Sequence, residues 1–157
     1  MSAETIQILD YRPEFASCFE RFNRAWLERY FRVEDIDARV LGNPEEYIIG
    51  PGGCVLFAAL DDRIIGTVAL KKVDEGIYEM TKMAVDEKYR GLGAGKILCT
   101  AALQRAAEMN ARKVILYSNT LLANAIGIYR KMGFREIPLE KGLYERADIM
   151  MEYLVPH

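Results

Sequence analysis

Histidine is almost absent from this chain: the only one is the last residue, His157. That leaves no imidazole base and excludes Ser-His-Asp and Cys-His hydrolase arrangements. Cysteine is scarce too. Cys18, Cys54 and Cys99 are odd in number, widely spaced and contain no Cys-x-x-Cys pair. A disulfide framework is therefore not expected, and the cysteine usage suits a cytoplasmic chain. Without an internal histidine, a metal site is not expected either. No apolar run reaches the ~20 residues that span a bilayer, and no signal peptide opens the sequence, so no membrane partner is expected. Neither sign of charge dominates. Lys and Arg total 21, Asp and Glu 23, and the net charge is −2. Duplex nucleic acid is a poor candidate partner, because neutralising phosphates needs a basic face.

What is present is an ordinary globular composition, 51% apolar and 28% charged over 157 residues. It implies one domain, residues 1–157, with a core that needs no staples. Residues 5–11 read as a strand. Residues 12–31 read as a helix with Pro13 in its first turn. Phe15, Phe19, Phe22, Trp26 and Tyr30 recur on one face of it, first as core packing and alternatively as ligand contact. A short helix over 33–41 and a turn-rich connection over 42–53 follow. Strands then read at 54–60, 64–73 and 76–85. A helix over 93–110, an apolar strand at 112–118 and an amphipathic helix over 121–132 come next, the last stopped by Gly133. Residues 134–138 and 143–155 close the chain as strands. The order implies an α/β fold (α+β by some schemes): one mixed, mostly antiparallel sheet of about seven strands, with helices on both faces. The unit 76–118 is its central parallel βαβ crossover.

The stretch "EKYRGLGAGKIL", residues 87–98, joins a strand to a helix N-terminus. Unpaired N–H groups and the helix dipole favour an anion there. Gly91, Gly93 and Gly95 permit positive φ and close approach, and Arg90 and Lys96 add charge. A P-loop would need glycine at position 90 and Ser or Thr at 97, where Arg90 and Ile97 stand. A dinucleotide fingerprint from Gly91 would need glycine at 96, where Lys96 stands. Neither phosphate loop matches.

Arg90-Gly91-Leu92-Gly93-Ala94-Gly95 resembles the Arg/Gln-x-x-Gly-x-Gly/Ala loop of the GNAT-superfamily acyltransferases. Downstream, "NTLLANAIGIYRKMGF" resembles that family's second block, Asn-x-x-Ala-x-x-x-Tyr-x-x-x-Gly-Phe, taken with Asn124, Tyr129, Gly133 and Phe134. The resemblance covers residues ~52–154 and implies the acyl-CoA N-acyltransferase fold. It implies acetyl-CoA as donor, with its pyrophosphate on residues 90–96 and its pantetheine arm on the open backbone edge of Met83, Ala84 and Val85. It implies that the two strands flanking the crossover helix splay into a slot. Asn124 would bond the cofactor arm, with a surface amide as the rival reading.

Amine acetylation by a thioester needs a base, an oxyanion donor and tolerance of the departing thiolate. By alternation Ile77, Glu79, Thr81, Met83 and Val85 share a face, and a carboxylate in an apolar row has its pKa raised toward working pH. Glu79 is the candidate base, and an ion pair with Lys71, Lys72 or Lys82 is the alternative. The resemblance puts Tyr129 at the general-acid position; core packing is its alternative. The oxyanion donor would be an N–H near Met83 or Ala84. Cys99 reads as inert packing. In this family the first helices build the acceptor pocket. Trp26 and Tyr30 are the candidates there, with Phe31, Arg24, Arg29 and Arg32 as a basic wall and Glu34, Asp35 and Asp37 as an acidic edge. Asn119 either contacts substrate or caps a helix. The implied function is transfer of acetyl from acetyl-CoA to an amine of a small molecule, amino acid or peptide. A non-catalytic acyl-CoA-binding sensor is the alternative. The last strand completes its own sheet or exchanges within a homodimer.

Overall fold

The computed structural model describes residues 5–139 and 144–156. The strands are β1 (Ile6–Asp10), β2 (Cys54–Leu60), β3 (Arg63–Asp74), β4 (Ile77–Val85), β5 (Lys113–Ser118), β6 (Arg135–Ile137) and β7 (Ile149–Leu154). The helices are α1 (Ala16–Tyr30), α2 (Asp35–Gly42), α3 (Ala94–Glu108) and α4 (Ala123–Met132). The seven strands form one sheet in the order β1-β2-β3-β4-β5-β7-β6. Only β4 and β5 run parallel; the other neighbours are antiparallel. This is the mixed, mostly antiparallel architecture that the element order implies.

Both faces of the sheet are covered, which explains the unbroken apolar run of β2. Leu56, Ala58 and Leu60 pack with Leu98, Cys99 and Ala102 of α3. Val55 and Phe57 turn to the opposite face, against Phe19 and Leu27 of α1 and Val40 and Leu41 of α2. α4 seals the first face with Ile126, Tyr129 and Met132. The aromatic stripe of α1 divides. Phe19 and Phe22 are core, whereas Tyr30 is exposed. Among the described residues no helix is long and apolar enough to cross a membrane.

Four expectations need correction. The connection over 42–53 contains a wide helical turn at Glu45–Ile49, with Ile48 buried against α1 and α2. The last strand begins at Ile149; Tyr144–Asp148 form a turn-rich loop, and Leu143 lies outside the described residues. α4 begins at Ala123 rather than at 121.

The fourth correction shapes the site. Alternation along β4 breaks at Lys82. The β3 register pairs Thr67 with Ala84 but Ala69 with Thr81, so Lys82 and Met83 together stand opposite Val68. Lys82 absorbs this bulge at φ 56, a left-handed conformation that costs a non-glycine residue of order 1–3 kcal/mol. After the bulge Met83 and Val85 join Tyr78 and Met80 on the α3 face, leaving the face of Glu79.

Candidate active site

β4 and β5 pair over three positions, Ile77–Glu79 with Lys113–Ile115, and then part. β4 continues to Val85 on the arm of β3, and β5 continues to Ser118 on the arm of β7. Between them opens a cleft of about 350 Å³. Met83, Ala84 and Val85 line one wall, and Leu116, Tyr117, Ser118 and Asn119 the other. A parallel pair that separates leaves backbone groups without partners, and an extended polar chain can satisfy them. The volume falls in the range of small-molecule sites, ~300–1,000 Å³.

One end of the cleft is the glycine loop. Gly91 and Gly93 have φ 83 and 81, where a side chain would be strained. A Cβ at Gly91, Gly93 or Gly95 would meet nothing within 4 Å, so the loop faces open space. α3 starts at Ala94 with Gly93 as its cap and no side chain bonding its first turn. Among the described residues no backbone carbonyl takes the N–H groups of residues 91–96, whereas that of Arg90 closes a tight turn on the Glu87 carbonyl at 3.4 Å. The donor row therefore begins at Gly91. Ala94 is buried and can offer only its N–H, and the Leu92 side chain is exposed. The Arg90 guanidinium donates to the Tyr30 hydroxyl at 3.2 Å. Tyr30 in turn packs on Trp26, with ring centroids 5.7 Å apart. Thus Tyr30, expected at the acceptor, tethers the loop instead, and Trp26 lines the cleft together with Phe31.

Tyr129 of α4 lines the cleft. Its ring is fixed edge-on against Phe134, 5.8 Å between centroids. Burial, with the Cys99 thiol nearby, pushes its phenol above the ordinary value, so the hydroxyl is a proton donor at neutral pH. Burial also pushes Cys99 up to about 12 and keeps it a thiol. Asn124 is exposed and does not line the cleft; Leu122 and Ala125 do. Counting back from Tyr129 through Ala125 puts Leu122 in the asparagine place of the second block, which corrects the reading of Asn124. Asn119 lines the cleft but spends its side chain on the chain itself. Its Nδ2 donates to the Arg146 carbonyl at 2.6 Å, and its Oδ1 accepts from Leu121 N–H at 2.9 Å.

Glu79 is fully buried one layer behind the wall. Its Oε2 accepts from the Tyr144 hydroxyl at 3.0 Å, and its Oε1 has no partner among the described residues. Burial raises its carboxyl above the usual range against the opposing pull of Tyr144 and Lys82. Tyr144 lines the cleft, so the phenol connects the hidden carboxyl to the open space. Two cations lie against the Tyr144 ring: Lys82 Nζ at 4.8 Å and the Arg146 guanidinium at 4.6 Å from its centroid. Both cations meet at buried Asp37. Lys82 Nζ donates to it at 2.6 Å, and Arg146 donates through two nitrogens at 2.7 and 3.0 Å. Asp37 also accepts the Glu34 N–H at 3.0 Å, closing the start of α2. Burial pushes Asp37 up, but Arg146 and Lys82 outweigh it and hold its carboxyl below the usual value.

Tyr144, Arg146 and this ionic cluster escaped the sequence reading. One signal was available. Asp37, Val40 and Leu41 sit at helical spacing, so the apolar face of α2 carries an acid, and a buried acid requires a cation. The basic wall of Arg24, Arg29 and Arg32 does not form. These arginines are paired at the surface with Glu20, Glu87 and Glu145.

Comparison with known proteins agrees with this geometry. Residues 11–134 match the model of the acetyltransferase (GNAT) family. The human protein named N-acetylaspartate synthetase is 30% identical over 115 residues, 73% of this chain but 36% of that protein. The chain thus spans about a third of the length of this curated relative. A GNAT-family acetyltransferase from Staphylococcus aureus superposes with a TM-score of 0.85 at 23% identity, over 97% of this chain and 100% of that one. A PaiA N-acetyltransferase from Thermoplasma acidophilum, solved in complex with coenzyme A, superposes with a TM-score of 0.73 at 18% identity, over 96% and 99%.

Proposed function

The chain belongs to the GNAT acetyltransferase family, and on that premise we propose that it is an acetyl-CoA-dependent N-acetyltransferase acting on an amine of a small molecule, amino acid or peptide. The parting of β4 from β5, ending on a row of free loop amides, carries the proposal. Coenzyme A fits that shape. Its pyrophosphate suits the N–H groups of residues 91–96 with Arg90 beside them. Its pantetheine amides suit the unpaired edge of β4 at Met83, Ala84 and Val85. The human relative is named for the synthesis of an N-acetylated amino acid, which keeps amino acids among the acceptors.

Acetyl-CoA supplies the activated acetyl group, and the residues of the chain govern protons and charge. An ammonium has no lone pair, so the acceptor must first lose a proton. Glu79 takes it through Tyr144: the phenol passes its own proton to Oε2 and accepts one from the amine. The free amine forms the new C–N bond. The N–H of Met83 or Ala84 steadies the carbonyl oxygen as it becomes negative. Tyr129 donates its proton to the departing sulfur as the C–S bond breaks, and takes back the proton that the nitrogen sheds in becoming an amide. That returning proton drives the step, because a phenol raised above its ordinary value is by itself a weaker acid than a thiol, whose reference value is ~8.5.

Two variants probe the reading. Tyr129→Phe lowers kcat by about 10²-fold, the low end for acid–base groups because a thiolate leaves readily. The acetyl-CoA Kd from calorimetry stays unchanged; an unaltered kcat makes Tyr129 a packing residue. Gly93→Val cannot hold φ near 81 without strain of order 1–3 kcal/mol, so acetyl-CoA affinity falls by about 10-fold or more. An unchanged Kd would refute the loop assignment. The general test is thiol release from acetyl-CoA with a panel of amines, amino acids and peptides. Tight binding without release from any acceptor supports a sensor instead.

A further inference from the structure

We propose that Arg146 seats a carboxylate of the acceptor, so that the substrate is an amine with a carboxylate one or two carbons away: an amino acid and not a plain amine. The direction of the chemistry rests on the acetyltransferase reading above; the carboxylate seat rests on Arg146 itself.

Among the described residues that line the cleft, only Arg90 and Arg146 carry charge, and both are cations. Arg90 belongs to the glycine loop. Arg146 lines the cleft in company with Trp26, Phe31, Tyr117 and Tyr144. A cleft built for a plain ammonium would present a carboxylate there, and it presents a guanidinium.

Arg146 is also held rather than merely present. Nη1 donates to Glu34 at 3.0 Å and to Asp37 at 2.7 Å, and Nη2 donates to Asp37 at 3.0 Å. Its backbone carbonyl is pinned by Asn119 at 2.6 Å. Glu34 fixes the same loop again by accepting the Glu145 N–H at 3.1 Å. These contacts use three of the five guanidinium hydrogens, two on Nη1 and one on Nη2. The Nε–H and the second Nη2 hydrogen meet no protein acceptor among the described residues. That free edge has the two parallel donors that a carboxylate takes.

Lys82 and Arg146 offset Asp37 and Glu34, and Glu79 stands beside that balanced set as the proton acceptor. A zwitterion matches both ends, its ammonium toward Tyr144 and Glu79 and its carboxylate on the arginine fork. The spacing also fits. The guanidinium packs on the ring whose hydroxyl meets Glu79, so the two seats lie one phenol apart. Lys82 cannot serve as the seat, because its ammonium is buried and spent on Asp37.

The test compares the standard amino acids, each against its carboxamide forms, in thiol release at saturating acetyl-CoA. At least one acid is turned over, with kcat/KM about 10²-fold or more above its amide, because the amide leaves the fork half-paired. Arg146→Lys keeps the charge that Asp37 and Glu34 need for folding but loses the fork. Its acid-to-amide ratio falls by about 10-fold or more. Equal use of acids and amides, turnover of plain amines alone, or an unchanged ratio in Arg146→Lys overturns the proposal. If no acceptor releases thiol, calorimetry of the CoA-bound protein with the same compounds decides. Acid-selective binding that Arg146→Lys abolishes supports the seat and overturns the transfer reading. Absence of selective binding overturns the seat as well.

Discussion

Replacing Glu79 by glutamine lowers kcat/KM by about 10²–10⁴-fold, the range for a lost general base. The variant also loses the acidic limb of the pH–rate profile. In the wild type that limb reports ionisation of Glu79. Because burial raises this carboxyl, the rate falls as pH drops through a value above the usual ~4.3 for glutamate. Glutamine keeps an acceptor for the Tyr144 hydroxyl and removes a buried charge, so the thermal midpoint holds or rises. A limb that persists in Glu79→Gln assigns the base to another group.

Replacing Asp37 by alanine destabilises the fold by about 3–5 kcal/mol, the cost of stranding buried cations. Lys82 and Arg146 both lose their shared partner, and the start of α2 loses the bond to Glu34 N–H. Against a total stability of ~5–15 kcal/mol this is a large fraction. A shift in the denaturant midpoint at unchanged slope measures it, and a change below about 1 kcal/mol contradicts the cluster. The pH dependence has a definite sign. The Asp37 carboxyl is held below its ordinary value, so its contribution is present above about pH 4 and fades as pH falls through the folded value. Asp37→Ala removes that component of acid unfolding.

The fold was legible where one period dominates. The apolar run of β5, the β2–β3 hairpin over Asp61 and Asp62, and the glycine loop ahead of α3 all form as their patterns imply. The packed face of α4 was legible as well, because its helical spacing carries Ile126, Tyr129 and Met132 together onto the core. The face of β4 was not. One extra residue inverts alternation, and Lys82 in a left-handed conformation leaves no mark in composition. Tyr144 and Arg146 were hidden because "LYERADIMMEYLV" reads as one strand, while the first residues of that run that the structure describes, Tyr144–Asp148, form a loop. Their partners Asp37 and Glu79 lie 109 and 65 residues away, a pairing that only the folded sheet creates.

The central claim is that the main-chain donors from Gly91 to Lys96 hold the coenzyme and so bring its thioester to Tyr129. Titrating isotope-labelled protein with coenzyme A while following backbone amide resonances tests it most directly. The account predicts that the amides of Gly91, Gly93, Gly95 and Lys96 show the largest shifts, moving downfield as they bond phosphate oxygens, with Ala84 following. Saturable binding that leaves those amides unmoved and shifts resonances elsewhere would contradict it.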